Sequence, residues 1–381
     1  MKERDYDVIV YGAGPEGVAA ALAAAEHSGT VLLADEGLDV GGSAVCGLLN
    51  CWHGDGQPAL IEHLRKLTRR AWGRLIYEPE ELARVFQALV NDAGVDLLLG
   101  AKAMRVKSRV GEIKSVSFAG PEGRVKLSAW CYVDASQDCA LTRLAGCSGR
   151  PDAEGTAITL LARVGGIDTR VAGVFDHEVL SQYTAQFQSE QAADELPAGL
   201  AFPELVPCLR GGTAILNAAG AGVPVADGPL GFTKAELKCR NDALAAIGFL
   251  QRNVPGYENC HLIHFAGQAL VLSHCQPIRR RPESAVEVDS GLLEDVAALR
   301  HINPDNTAEP LVTPLGNLMC RDLENLLLAR AESLTAEQLP MLLACGQAAG
   351  TIAAEAVLYD GVISKLDESR VRKALAENSG V

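Results

Sequence analysis

The feature that most constrains this chain lies between Asp7 and Asp35. Asp7-Val8-Ile9-Val10-Tyr11 is a short apolar run of strand character, and Gly12-Ala13-Gly14-Pro15-Glu16-Gly17 joins it to an alanine-rich helical stretch, Val18 to His27. A GxGxxG turn alone is a weak signal, but between a strand and a helix it has a mechanism. Gly12 permits the tight turn, Gly14 lets the backbone approach a pyrophosphate, and Gly17 lets helix and strand pack closely. Pro15 and Glu16 belong with the glycines to the cofactor-binding turn, and the helix after it presents free N–H groups and the positive end of its dipole to the phosphates. A second strand, Thr30 to Ala34, ends at Asp35, a carboxylate placed to bond ribose hydroxyls, with Glu36 as the neighbouring alternative. An acidic residue there disfavours a 2′-phosphate, so NADP is not expected.

At 381 residues the chain has room for two to three domains. Its net charge of −14 repels phosphate backbones, and the dense basic run is confined to Arg279-Arg280-Arg281, so nucleic acid is not an expected partner. No apolar run reaches membrane-spanning length. The charged start, Met1 to Asp5, leads into the first strand without the apolar core of a secretory signal, which makes the cytoplasm the expected compartment. Eleven cysteines, an odd number, then read as reduced thiols. No metal site is expected: His261 and His264 fall on opposite faces of one strand, and His274-Cys275 has no CxxC partner.

The glycine doublet in Gly37-Leu38-Asp39-Val40-Gly41-Gly42-Ser43-Ala44 separates FAD from NAD readings. With it the chain resembles the FAD-dependent oxidoreductases that carry a glutathione-reductase type of FAD domain. The likeness continues through a helix at Glu80 to Asn91, a strand at Val95 to Leu99, a β-meander within Lys102 to Leu127, and a strand in Trp130-Cys131-Tyr132-Val133-Asp134-Ala135-Ser136-Gln137-Asp138. Val254 to Asn259, Glu324 to Ala329 and Ala344 to Thr351 also match. The resemblance implies an α/β fold, a doubly wound Rossmann-like FAD domain with a meander, plus an inserted α+β substrate domain. It divides the chain into a discontinuous FAD domain, 1–165 and 312–381, and a substrate domain, 166–311. Helical stretches are expected within the latter at His177 to Glu195 and Thr233 to Arg252. FAD contacts are implied for Gly41, Gly42, Ser43 and Asp138, and for Gly346, Gln347 and Ala348 at the start of the terminal helix, where small residues admit the flavin ring.

Several positions depart from the family pattern. Gln137 stands where relatives carry Gly, and Ser136 replaces Thr. Arg330 occupies a turn that is normally Gly, and Leu315-Gly316 replaces a Tyr-Arg pair. A Glu-Ser-Arg-Arg element is scrambled around Arg279 to Ser284. These segments point, by resemblance, at the middle and ring of FAD, whereas the adenosine end is intact. Two readings follow. One is a flavoenzyme taking a hydride from a small organic substrate. The other is a catalytically degenerate relative that binds FAD or another ADP-containing ligand and serves as a scaffold or subunit of a homo- or hetero-oligomer. For the first, His53 is the candidate proton carrier, and Arg279 and Arg280 the candidates for holding a carboxylate or an anionic flavin. Cys46 and Cys51 have the separation of a redox dithiol but sit too far from the glycine doublet, and the expectation is that they are inert.

Overall fold

The computed structural model describes residues 4–52, 60, 64, 66–71, 74–147, 149–150, 156–220, 222–226, 228, 230–271, 276–277, 299–300, 310–311, 318–329 and 339–378. Its centre is a parallel sheet of five strands. They are ordered Leu326–Leu328, Ala129–Asp134, β1 (Tyr6–Tyr11), β2 (Val31–Ala34) and Asp96–Leu98. Such strands are covered on both faces, which is why they read as nearly continuous Val, Ile and Leu.

Alternation along each strand sends side chains to two different cores. Val8 and Val10 of β1, Val31 and Leu33 of β2, and Cys131 and Val133 pack with the helices on one face. Ile9, Tyr11, Leu32, Ala34 and Tyr132 pack on the other face with the meander, Lys102–Arg109, Glu112–Gly120 and Gly123–Leu127. The meander is pinned from both ends. Tyr11 Oη accepts from Ala103 N at 3.0 Å. Buried Asn325 accepts from Ile113 N at 2.8 Å and donates to Ile113 O and Trp130 O at 3.0 and 3.1 Å. This gives the Glu324-Asn325-Leu326 motif a physical role, since one amide satisfies backbone groups from two layers.

Helix α1 (Pro15–His27) is alanine-rich because it is enclosed between the sheet and the terminal helix Leu339–Val357. A Cβ on Gly346 would overlap the carbonyl oxygen of Glu16, and one on Gly350 that of Ala20. The two contacts are one turn apart on both helices, so the backbones meet without side chains between them. The terminal helix begins at Leu339, two turns before Gly346. The expectation that Gly346 lies at its start is therefore corrected: Gly346 is two turns in, where it and Gly350 make the contact with α1.

Strands in the middle of the chain form separate antiparallel sheets. One has the order Glu204–Pro207, Ala214–Asn217, Ala162–Gly165, His261–Phe265, and another joins Ala157–Thr159 to Val223–Pro224 and Leu270–Val271. Helix Gly231–Asn253 packs on both, and is longer at each end than the Thr233 to Arg252 expected. The helical stretch expected from His177 to Glu195 is two helices, His177–Ser181 and Thr184–Ala192. Phe187 of the second meets Phe249 edge-on at 5.0 Å and Phe202 at 5.4 Å.

Two glycine-to-alanine changes should move stability in opposite directions. Gly350→Ala forces a methyl into the Ala20 carbonyl and should cost about 1–3 kcal/mol. Gly248→Ala, whose Cβ would meet only the mobile end of Arg252 at 3.3 Å, should gain about 0.5–1 kcal/mol by helix propensity. Urea-denaturation midpoints of the two variants beside the parent check both signs.

Candidate dinucleotide site

The strand order places β1 between β2 and Ala129–Asp134, so the chain leaves β1 to one side and returns on the other. The crevice beyond the carboxyl ends of strands at such a reversal is where open α/β sheets bind ligands. The Gly12 to Gly17 turn occupies that crevice, and backbone encloses it. Gly12 has φ +108°, and a Cβ there would overlap the Ala135 carbonyl at the end of the neighbouring strand. A Cβ on Gly17 would overlap the Gly12 carbonyl oxygen. Gly41 N donates to Ala13 O at 2.6 Å, and a Cβ on Gly42 would come within 2.9 Å of Gly14 Cα. Gly41 (φ +119°) and Gly42 (φ +46°) both have the left-handed backbone this approach needs.

Gly14 differs from the others. It is the N-cap of α1, and a Cβ added there would meet only the Glu16 carboxylate, 2.9 Å away. The protein's own backbone does not require glycine at this point, and Gly14 is the one residue of the turn that is not buried, so a methyl there would push on the Glu16 carboxylate and crowd the helix N-terminus that a ligand approaches. Pro15 at the first helical position has no N–H to lose, and Glu16 is buried beside it.

Asp35 closes the turn from the β2 side. Its Oδ2 accepts from Ala13 N at 2.5 Å and its Oδ1 from Gly37 N at 2.6 Å. Burial pushes its carboxyl above the ordinary range, against the two N–H bonds that favour the charged form. Each oxygen still has a lone pair for a ribose hydroxyl. Glu36 is exposed and pairs with Lys102 at 2.9 Å, which leaves Asp35 as the carboxylate directed into the turn.

The turn after Ala129–Asp134 is organised by a residue that sequence reasoning passed over. Buried Asp134 accepts from Ser136 Oγ at 2.6 Å, Thr142 Oγ1 at 2.7 Å and Thr142 N at 2.9 Å, while Ser136 Oγ accepts from Ala140 N at 2.7 Å. Ser136 thus has the hydroxyl that the family's Thr would bring, and this departure is chemically conservative. Asp138 is exposed and forms an ion pair with Arg143 at 2.6 Å. Gln137 is half-buried beside it.

A second unforeseen group ties the turn's surroundings to the middle sheets. Arg163, buried in its strand, bonds Glu78 at 3.3 Å and Glu80 at 3.0 Å, and Glu78 accepts from Arg210 N at 3.1 Å. Asn50 donates to Pro207 O at 3.1 Å. An arginine within the apolar run Leu160 to Val164 was the available signal. Cys46 and Cys51 are not joined in a disulfide; burial, with Asp39 and Asp35, pushes Cys46 up to about 11. Ser43 is buried in the helix Gly42–Val45 that follows the doublet. Gly346 and Ala348 are buried and Gln347 half-buried. His261 and His264 are exposed, each with Nδ1 on a backbone carbonyl, and no metal cluster occurs among the described residues. His53, Arg279, Arg280, Leu315, Gly316 and Arg330 lie outside the described residues, as do His274 and Cys275.

A family model described as FAD dependent oxidoreductase matches residues 7–271, a span that holds the whole glycine turn, Asp35 and the Gly41-Gly42 doublet. The chain belongs to that family. FAD is its cofactor, and the partly exposed Gly14 at the helix N-terminus and the Asp35 carboxylate fit the pyrophosphate and ribose of such a group. Three solved structures share the fold. A geranylgeranyl bacteriochlorophyll reductase-like protein from Thermoplasma acidophilum is 14% identical with a TM-score of 0.54, covering 99% of this chain and 88% of that one. The p-nitrophenol 4-monooxygenase PnpA from Pseudomonas putida DLL-E4 is 12% identical with a TM-score of 0.53, covering 99% and 85%. The flavin-dependent brominase Bmp2 is 12% identical with a TM-score of 0.50, covering 98% and 83%. No curated protein sequence matches the chain. No helix among the described residues is long and apolar enough to cross a membrane.

Two glycines of the turn should therefore respond differently to the same methyl group. Gly14→Ala should fold normally and hold FAD at least about tenfold more weakly, the equivalent of one hydrogen bond to a charged acceptor, about 1.5–3 kcal/mol. Gly17→Ala should lose the fold of the turn itself. Circular dichroism and the flavin-to-protein absorbance ratio of the purified variants separate the two effects.

Proposed function

We propose that this FAD-dependent protein is an enzyme that takes a hydride from a small organic substrate. The observation that carries the reading is Gly14, the one residue of the Gly12 to Gly17 turn that is not buried, at the N-terminus of α1. The first turn of α1 would hold the pyrophosphate, Asp35 the ribose, and the Gly41-Gly42-Ser43 segment would border the middle of the cofactor. FAD, when bound, supplies a two-electron acceptor.

The remaining tasks fall to the chain's own side chains. His53 is our candidate for holding or moving the substrate proton, and Arg279 and Arg280 for orienting a substrate carboxylate by paired N–H bonds. Gln347 and Ala348, beside the contact between α1 and the terminal helix, are candidates to border the cofactor. Cys46 is given no redox part, because a thiol held near 11 is protonated at neutral pH. The division of the chain into a FAD domain, 1–165 and 312–381, and a substrate domain, 166–311, belongs to the same proposal. The strand pairings of Ala157–Thr159 and Ala162–Gly165 with the middle sheets favour moving its first boundary ahead of Ala157.

The purified protein should be yellow, and its flavin band should bleach under anaerobic conditions with a small hydride donor such as a 2-hydroxy acid, an amino acid or an amine. Bleaching should slow at least tenfold in His53→Ala or Arg280→Ala while the flavin content stays constant. A flavin-loaded protein that no such donor reduces would defeat the proposal in favour of a binding or scaffold role.

A further inference from the structure

Cys147 and Cys320 are 173 positions apart in sequence, yet their sulfurs are 3.7 Å apart. Each is anchored by its backbone. Cys147 N donates to Thr142 O at 3.1 Å, just beyond the helix Ala140–Leu144 that Asp134 holds in place. Cys320 N donates to Leu326 O at 3.2 Å, and its neighbour Met319 bridges to Leu327 of the edge strand. A disulfide needs a separation of about 2.05 Å, so each sulfur would have to move by roughly 0.8 Å, within the reach of a small side-chain rotation. Cys320 is 2% exposed, and Cys147 is half-buried, at the solvent side of the pair.

The position of the pair matters as much as the distance. Every strand of the two antiparallel sheets between Ala157 and Val271 lies between these cysteines in sequence. Cys147 is where the chain leaves the parallel sheet for that insertion, and Cys320 is where it has returned. We propose that Cys147 and Cys320 are a reversible thiol-oxidation site, converted by a hydroperoxide into a disulfide that staples the exit and return of the inserted segment.

The electronic setting agrees with the geometry. The sulfur–sulfur contact with Cys147, together with the backbone N–H groups of Asp322 and Leu323, holds the Cys320 thiol below its ordinary value, while the same contact, burial, Asp322 and Asp134 push Cys147 up. Cys320 is therefore the nucleophilic sulfur and Cys147 the resolving thiol. By contrast, burial pushes Cys131 up to about 12, and Cys46, Cys208 and Cys260 to about 11. The Cys320 thiolate attacks one peroxide oxygen, the O–O bond breaks, and hydroxide leaves, taking up the proton that Cys320 had released to become water. Cys147 then attacks the resulting sulfenic sulfur; an S–S bond forms, and the Cys147 proton leaves with the hydroxyl as a second water. Two thiols lose two electrons in all, and one hydrogen peroxide gains them.

The test uses the full-length protein treated with hydrogen peroxide, quenched with catalase, denatured and labelled with N-ethylmaleimide before and after reduction. The expected result is the loss of two labels per chain, their recovery with reductant, and a linked Cys147–Cys320 peptide in the digest. The oxidised protein should also melt higher than the reduced one by roughly 2–4 °C or more, because the crosslink closes a long loop in the unfolded chain. In Cys147→Ser the two-label loss should vanish. Should that variant fail to fold, the peptide map of the unmodified chain decides alone. A linked peptide from another cysteine pair, Cys320 fully labelled after peroxide, or an unchanged melting midpoint in a quantitatively linked sample would overturn the proposal.

Discussion

The molecule depends on a set of backbone contacts that leave no room for side chains. At the end of β1 the Gly12 turn is pressed against the Ala135 carbonyl below, α1 begins against the Gly12 carbonyl, and the Gly41-Gly42 doublet lies across Ala13 and Gly14. Asp35 completes the enclosure by accepting from Ala13 N. Overlaps of this kind are absolute for a Cβ, so the glycines at 12 and 17 are steric requirements of the fold. Gly14 is the position where that requirement lapses, since a Cβ there would meet the Glu16 carboxylate and not backbone, and it is the one residue of the turn that is not buried, at a helix N-terminus suited to a ligand's phosphates.

The same economy of side chains runs through the layers above. Because α1 must approach the turn so closely, it is built of alanine, and the terminal helix meets it through Gly346 and Gly350. On the opposite face of the sheet the meander is held by Tyr11 and Asn325, residues of the parallel strands or their flanks. The cofactor turn is thus clamped between two layers that both begin at β1. Asp134 extends the arrangement by fixing the turn against which Gly12 rests. Burial raises its carboxyl, against the four donated hydrogen bonds that favour the charged form.

What the sequence made legible was local. The strand, glycine turn, helix and closing carboxylate are consecutive, and their chemistry can be read from residue type and spacing; the meander followed from alternation and resemblance. What it hid was contact at long range. The buried Arg163–Glu78 pair joins residues 85 positions apart, and the Cys147–Cys320 contact spans twice that. Asp134 could be placed at a strand end, but not its four hydrogen bonds from Ser136 and Thr142, which turn an apparent departure at Ser136 into retained chemistry. The small residues of the terminal helix read as room for a flavin, and their second use, helix packing in register against Glu16 and Ala20, could not be told from residue type alone.

The central claim is that the turn's single accessible face, at Gly14, receives the FAD pyrophosphate while Asp35 keeps its two backbone bonds. A crystal structure of the protein with FAD bound tests it most directly. The account predicts pyrophosphate oxygens within about 3.2 Å of backbone N–H groups in the first turn of α1, with Ala13 N and Gly37 N still on Asp35 and the ribose hydroxyls sharing its remaining lone pairs. FAD bound with its pyrophosphate away from Gly14, or Asp35 pulled out of the turn to reach it, would contradict the account.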